Sequence, residues 1–221
     1  IDGTLVSFNT HRIPDSTVQA LRAARQKGVM VFISTGRPIH IINNLGQLDD
    51  LIDGYITTNG AYCFIGKEQV CMNAISEDEV AVIMDACRQW DRPIVMSGKD
   101  EVAVFNYKQD VDDIFNKWLG VSCIDYSLPA ERLLCKPILQ MTPFISPSQE
   151  EELMALLPGC TSGRWTPQFT DITCSKADKG KGLAAMARHL GFDIHDTMAF
   201  GDGGNDTPIL RAAGIGVAMG N

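Results

Sequence analysis

Apolar and polar residues follow two rhythms along this chain, and the change of rhythm divides it. From Pro14 to Gly28 the apolar positions Val18, Leu21 and Ala24 share one helical face. Pro14-Asp15-Ser16 opens that helix, Ser16 and Gln19 are spaced as a capping box, and Lys27-Gly28 closes it. Val29-Met30-Val31-Phe32-Ile33 is an unbroken apolar run, the pattern of a strand buried on both faces, and it stops at Ser34-Thr35-Gly36-Arg37-Pro38. The pattern then predicts a second helix over 39–48, a turn at Asp53-Gly54, and a short strand over 55–58 ending in Asn59-Gly60.

The C-terminal part repeats this grammar. Asp178 precedes a helix that runs to about Leu190 and ends at Gly191. Thr197-Met198-Ala199-Phe200 reads as a buried strand, Gly201-Asp202-Gly203-Gly204-Asn205-Asp206 as a loop, Thr207 to Gly214 as a helix, and Ile215-Gly216-Val217-Ala218 as one more strand. Strands alternating with helices imply the α/β class, with a doubly wound parallel sheet. The middle differs. Over 75–167, helices at 78–90, 110–119 and 147–157 lie among mixed strands, with period-two alternation at Glu101-Val102-Ala103-Val104-Phe105. This segment reads as an α+β insert.

Charge and cysteine content narrow the partners. The net charge of −8 argues against a general nucleic-acid surface, which needs a basic face, but leaves small anions open. The seven cysteines (63, 71, 87, 123, 135, 160 and 174) include no C-x-x-C, so reduced thiols in a cytoplasmic protein are expected. No apolar run reaches the roughly 18 residues of a membrane span. His11, His40, His189 and His195 lack metal-ligand spacing.

Four short sites carry candidate chemistry: Ile1-Asp2-Gly3-Thr4, Ser34-Thr35-Gly36-Arg37, Lys179 at the start of a helix, and the loop from Gly201 to Asp206. Alone, Asp2-Gly3 is a turn dipeptide, Lys179 a solvated lysine and Thr35 a turn-capping hydroxyl. Together they suit phosphate. Ligands of an open parallel sheet bind beyond the carboxyl ends of its strands, where the loops converge. Asp2 and Asp202 are hard oxygen donors of the kind Mg2+ takes. Lys179 adds positive charge at a helix N-terminus, and the N–H groups of Gly3, Thr4 and Gly36 can approach a phosphate closely. A P-loop and a dinucleotide fingerprint are both absent.

These motifs, in this order and with Thr58-Asn59-Gly60-Ala61, resemble the haloacid dehalogenase superfamily, and within it the Cof-type (subclass IIB) sugar phosphatases. The resemblance implies a Rossmann-like core at 1–74 and 168–221 and a C2-type α/β cap at 75–167. It implies an Mg2+-dependent phosphatase that hydrolyses small phosphorylated metabolites, hexose phosphates foremost, through an aspartyl-phosphate. Asp2 matches the general acid/base, whose main-chain carbonyl also binds the metal. Asp202 matches the metal carboxylate, Lys179 the lysine beside the transferred phosphoryl, and Thr35, Gly36 and Asn205 the phosphate contacts. Asp206 matches an outer acid near the lysine and the metal. Arg37, Asn59, Arg164 and Trp165 are candidates for the leaving group, with a packing role as the alternative for the last two. The nucleophilic Asp of this pattern would immediately precede Ile1, and further core is expected beyond Asn221. A phosphosugar mutase and a non-catalytic phosphate-binding module are the rival readings.

Overall fold

The computed structural model describes residues 1–7, 10, 12–122 and 124–221, so His11 and Cys123 lie outside the described residues. The chain forms two compact units, one of Ile1–Arg37, Ile42–Met72 and Ala177–Asn221, the other of Pro38–Ile41 and Asn73–Lys176.

In the first unit, helix α1 (Asp15–Gln26) lays Val18 and Leu21 against Ile13, Leu45 and Leu48. The Ser16–Gln19 capping box does not form. The helix begins two residues earlier, after Pro14, which makes Ser16 a first-turn residue. Its end follows the expectation: Gly28 has φ +85°, its N–H bonds Arg25 O at 2.9 Å, and the N–H of Val29 bonds Ala24 O. Strand β1 (Phe32–Ser34) is shorter than the apolar run before it, and Val29 and Met30 are exposed. The helix expected over 39–48 resolves into two 3-10 turns, Ile39–Ile41, which belongs to the second unit, and Gly46–Leu48. Within the second turn Gln47 spends its amide on the main chain of Ile13, accepting its N–H at 2.9 Å and donating to its carbonyl at 3.0 Å. Strand β2 (Gly54–Thr57) pairs parallel with β1, then runs into an antiparallel meander of β3 (Tyr62–Ile65) and β4 (Glu68–Met72).

The second unit is a five-stranded antiparallel sheet between two apolar layers. Helix α2 (Glu77–Gln89) starts at Ser76, whose Oγ accepts the Glu79 N–H. Strands β5 (Ile94–Gly98) and β6 (Val102–Phe105) follow, then α3 (Gln109–Asp112), which continues as a π-helical turn over Asp113–Trp118 where one regular helix was expected. Strand β7 (Ile138–Pro143) leads to α4 (Pro147–Met154), whose Ser146–Gln149 capping box is complete. Strands β8 (Cys160–Gly163) and β9 (Asp171–Cys174) finish the sheet in the order β6-β5-β7-β9-β8. Val80, Ile83, Met84 and Leu153 pack with Ile94, Met96 and Met141 in one layer; Val95, Val102 and Val104 meet Phe115, Phe144 and Phe169 in the other.

The chain then returns to the first unit. Helix α5 (Lys179–Leu190) is capped by Asp178, whose Oδ1 accepts the Lys181 N–H at 2.8 Å, and it ends at Gly191 in the left-handed region. Strand β10 (Met198–Gly201), helix α6 (Thr207–Ala212) and β11 (Ile215–Ala218) complete the described elements, with β10 and β11 parallel. Ala199 packs inward with Ile56, Leu183, Met186 and Ile209, whereas Met198 and Phe200 are each 54% exposed. The sequence reads β10 as a buried strand; an apolar run shows that a face can be covered, not that it is. The described residues thus have the α/β class, with parallel pairs in the first unit and an α+β second unit.

Candidate active site

The Asp2 segment is shaped by a tight turn. The Ile1 carbonyl accepts the N–H groups of Leu5 and Val6 at 2.8 and 3.0 Å, and Gly3 donates to Val6 O at 2.8 Å. Gly3 has φ +77°, and a Cβ there would fall on the Asp202 carboxylate, so glycine is required twice over. Thr4 Oγ1 donates to Asp202 Oδ1 at 2.5 Å. The loop after β10 and the first turn of the chain therefore meet through one carboxylate. Thr4 was read from the sequence only for its main-chain N–H; its hydroxyl is the contact that reading lacked.

Strand β1 ends at a second cluster. The buried Thr35 donates its N–H to Ile56 O at 2.9 Å, and its Oγ1 accepts the Arg37 N–H at 3.1 Å. Arg37 holds Asp2 with both ends of a fork, Nε to Oδ2 at 2.8 Å and Nη2 to Oδ1 at 2.9 Å. A bidentate pair fixes the plane of the carboxylate as well as its distance. After β2, Thr58, Asn59 and Gly60 all take positive φ, at 54°, 52° and 87°. A β-branched Thr in that region is strained, and such strain gathers at functional sites. The turn is held by Thr58 N–H on Arg37 O and Asn59 N–H on Thr35 O. It carries Asn59 to Asn205, whose Nδ2 donates to Asn59 Oδ1 at 3.0 Å, with Gly36 leaving room between them.

Lys179 lies behind these loops and is 4% exposed. Its Nζ donates to Asp206 Oδ1 at 2.5 Å, and the other oxygen, Oδ2, accepts the N–H groups of Asp202 and Gly203, each at 3.1 Å. Burial alone would raise the Asp206 carboxyl, but the Lys179 charge and these hydrogen bonds hold it below the usual carboxylate range. One acid thus anchors the lysine and shapes the Asp202 loop at once.

The structure brings Asp2, Thr35, Gly36, Arg37, Asn59, Lys179, Asp202, Asn205 and Asp206 together in the first unit. Thr35, Asn59 and Asp202 stand just past the ends of β1, β2 and β10, where an open α/β sheet binds its ligands. Arg164 and Trp165 belong to the second unit. There Arg164 pairs with Glu150 at 2.6 Å and donates to Ile145 O and Pro167 O. Trp165 donates its indole N–H to Asp171 and stacks on Trp118 with ring centroids 6.2 Å apart.

The donor set fits Mg2+. No three His, Cys, Asp or Glu side chains among the described residues are placed to cage an ion. Mg2+ does not need such a cage, since it keeps several waters and takes one or two carboxylates. Asp202 supplies a hard carboxylate beside the Ile1–Val6 turn, and Asp2 adds a main-chain carbonyl in that turn.

Comparison with known proteins agrees with this geometry. The family profile described as haloacid dehalogenase-like hydrolase matches residues 1–221. A solved structure of the HAD subclass IIB sugar phosphatase BT4131 shares 47% identity and superposes with a TM-score of 0.92, covering all of this chain and 85% of its own. The phosphatase BT1666 from Bacteroides thetaiotaomicron shares 32% identity at a TM-score of 0.86, over all of this chain and 82% of its own. The 5-amino-6-(5-phospho-D-ribitylamino)uracil phosphatase YcsE of Bacillus subtilis (strain 168) is 26% identical across the whole chain and 82% of its own length. Both the motifs that meet around Lys179 and the match along the full length place this chain in the haloacid dehalogenase-like hydrolase family, as a phosphatase with the Rossmann-like core and cap of subclass IIB.

Proposed function

We propose that the protein is a Mg2+-dependent phosphatase of small sugar phosphates, hexose phosphates foremost, acting through an aspartyl-phosphate on the residue immediately before Ile1. The observation that carries this reading is the run of contacts that joins the motifs. Lys179 pairs with Asp206, Asp206 accepts the Asp202 and Gly203 N–H groups, and Asp202 accepts the Thr4 hydroxyl in the turn that holds Asp2 and that the residue before Ile1 would lead into. A carboxylate there would attack phosphorus in line. Asp2, held in plane by Arg37, would give its proton to the leaving sugar oxygen and later take one from the attacking water. Lys179 offsets the charge that builds on the phosphoryl oxygens, and Thr35, the Gly36 N–H and Asn205 hold them. Bound Mg2+, with Asp202 and the Asp2 carbonyl as its protein ligands, supplies further charge neutralisation.

The sugar assignment rests on the 47% identity to a sugar phosphatase, and YcsE likewise acts on a phosphorylated polyol derivative. Arg37 and Asn59, beside Asp2 and Asn205 in the first unit, are the leaving-group candidates, and Trp165 is the candidate from the second unit. Arg164 is assigned to packing, since its guanidinium is taken up by Glu150 and two carbonyls. We place the enzyme in the cytoplasm, in line with its cysteine pattern, and take the second compact unit as the cap, which moves its end from the 167 read in the sequence to Lys176, because β9 pairs within that unit's sheet.

The test is phosphate release by the full-length protein from hexose phosphates, nucleotides and pyridoxal phosphate, with and without Mg2+, for wild type and Asp2→Asn. Hexose phosphates should turn over fastest, only with the metal, and Asp2→Asn should be nearly inactive. Near-wild-type turnover by Asp2→Asn would remove Asp2 from its role, and a preference for nucleotides would remove the sugar assignment.

A further inference from the structure

We propose that Cys63 and Cys71 are a redox site: hydrogen peroxide joins them in a reversible disulfide that unseats the start of α5 and lowers turnover. Strands β3 and β4 pair antiparallel with Cys63 directly opposite Cys71. Opposed residues in such a pair have Cα atoms about 4.5–5.5 Å apart, inside the roughly 4.4–6.8 Å that a disulfide spans. The strand register thus sets the two side chains on the same face as cross-strand neighbours.

The pair is asymmetric in the way that thiol oxidation needs. Cys63 is fully buried among Ile56, Leu183 and Met186, whereas Cys71 is partly exposed at the edge of that cluster. The neighbouring Cys63 lowers the Cys71 thiol, while Cys71 and burial raise the Cys63 thiol. The thiolate therefore forms on the partner that peroxide can reach. It attacks one peroxide oxygen and becomes a sulfenic acid, and the departing hydroxide takes the Cys71 proton to leave as water. The Cys63 sulfur then displaces the sulfenic hydroxyl, which leaves with the Cys63 proton as a second water. Two electrons pass from the thiols to the peroxide, and a thiol reductant reverses the bond.

The link to the active site is short. Cys63 Sγ donates to Gly60 O at 3.8 Å. Gly60 packs so tightly on the Asp178–Lys179 peptide that a Cβ on it would collide with Asp178 O. Gly182, in the first turn of α5, would bring a Cβ within 3.2 Å of Cys63 Sγ. Drawing that sulfur toward Cys71 removes the Gly60 hydrogen bond and alters the packing under the turn that carries Lys179. A second opposed pair, Cys160 and Cys174 on β8 and β9, serves as contrast. Both thiols are buried, and burial together with Glu79 pushes Cys160 up to about 12, so this pair stays reduced.

The experiment titrates full-length enzyme with hydrogen peroxide and follows differential alkylation, peptide masses and phosphate release. A Cys63–Cys71 peptide about 2 Da lighter should appear. With it kcat should fall about tenfold or more with KM changed less, as expected for a displaced lysine, and dithiothreitol should restore it. Cys71→Ser and Cys71→Ala should keep their turnover under the same peroxide. The proposal is overturned if Cys63 and Cys71 stay fully alkylatable, if Cys160–Cys174 links first, if the bond forms with kcat unchanged, or if the Cys71 variants lose activity as wild type does. Because linkage is read by mass, these failures are distinguishable from a wrong substrate assignment.

Discussion

Asp206→Asn isolates the electrostatic seat of the site. The side chains of Lys179 and Asp206 are 5% and 11% exposed, so their ion pair is shielded from water. An exposed pair is worth about 0–1 kcal/mol. Removing one partner of a buried pair costs about 3–5 kcal/mol, because the other charge stays buried and uncompensated. The asparagine cannot repair this. Asp206 accepts on both oxygens, from Lys179 on one and from the Asp202 and Gly203 N–H groups on the other. An amide has a single oxygen, so its NH2 must face a donor wherever it turns. Against a total stability of about 5–15 kcal/mol, a loss near 3 kcal/mol is large. Urea unfolding of full-length wild type, Asp206→Asn, Lys179→Met and the double variant, followed by circular dichroism, measures it. The double variant should lose less than the sum of the singles, with a coupling of at least about 1 kcal/mol. A single-variant loss below about 0.5 kcal/mol, or strict additivity, would refute the reasoning.

Other outcomes follow from neighbouring contacts. Arg37→Lys keeps the charge but cannot hold both oxygens of Asp2, so kcat should fall about 10- to 100-fold with KM changed less, checked by steady-state kinetics. Gly3→Ala forces a Cβ into the left-handed region and onto Asp202; urea unfolding should show a cost of about 1–3 kcal/mol, together with loss of activity. The depressed Asp206 carboxyl contributes stability that is present above the unfolded carboxylate value of about 3.9 and lost as pH falls through its lower folded value. The stability gap between wild type and Asp206→Asn should accordingly narrow below about pH 4 in acid titrations. Chelation by EDTA should abolish phosphate release, and added Mg2+ should restore it.

The sequence by itself determined which residues could do chemistry. The Asp202 loop stood out by its own context, Asp2, Thr35 and Lys179 through the joint pattern and the family it resembles, and the helix stops at Gly28 and Gly191 rest on a conformation that glycine adopts without strain. What such rules cannot carry is anything that depends on a distant partner. The bidentate hold of Arg37 on Asp2 spans 35 positions, Thr4 on Asp202 spans 198, and neither leaves a trace in the residues around it. The segment expected as a helix over 39–48 is two short turns, the second seated by Gln47 on the distant main chain of Ile13, and the exposed faces of Met198 and Phe200 depend on whether another layer lies over β10. The opposition of Cys63 and Cys71 is likewise a matter of strand register. Local propensity writes the elements; distance, register and desolvation, which only the folded chain sets, decide which of the candidates act together.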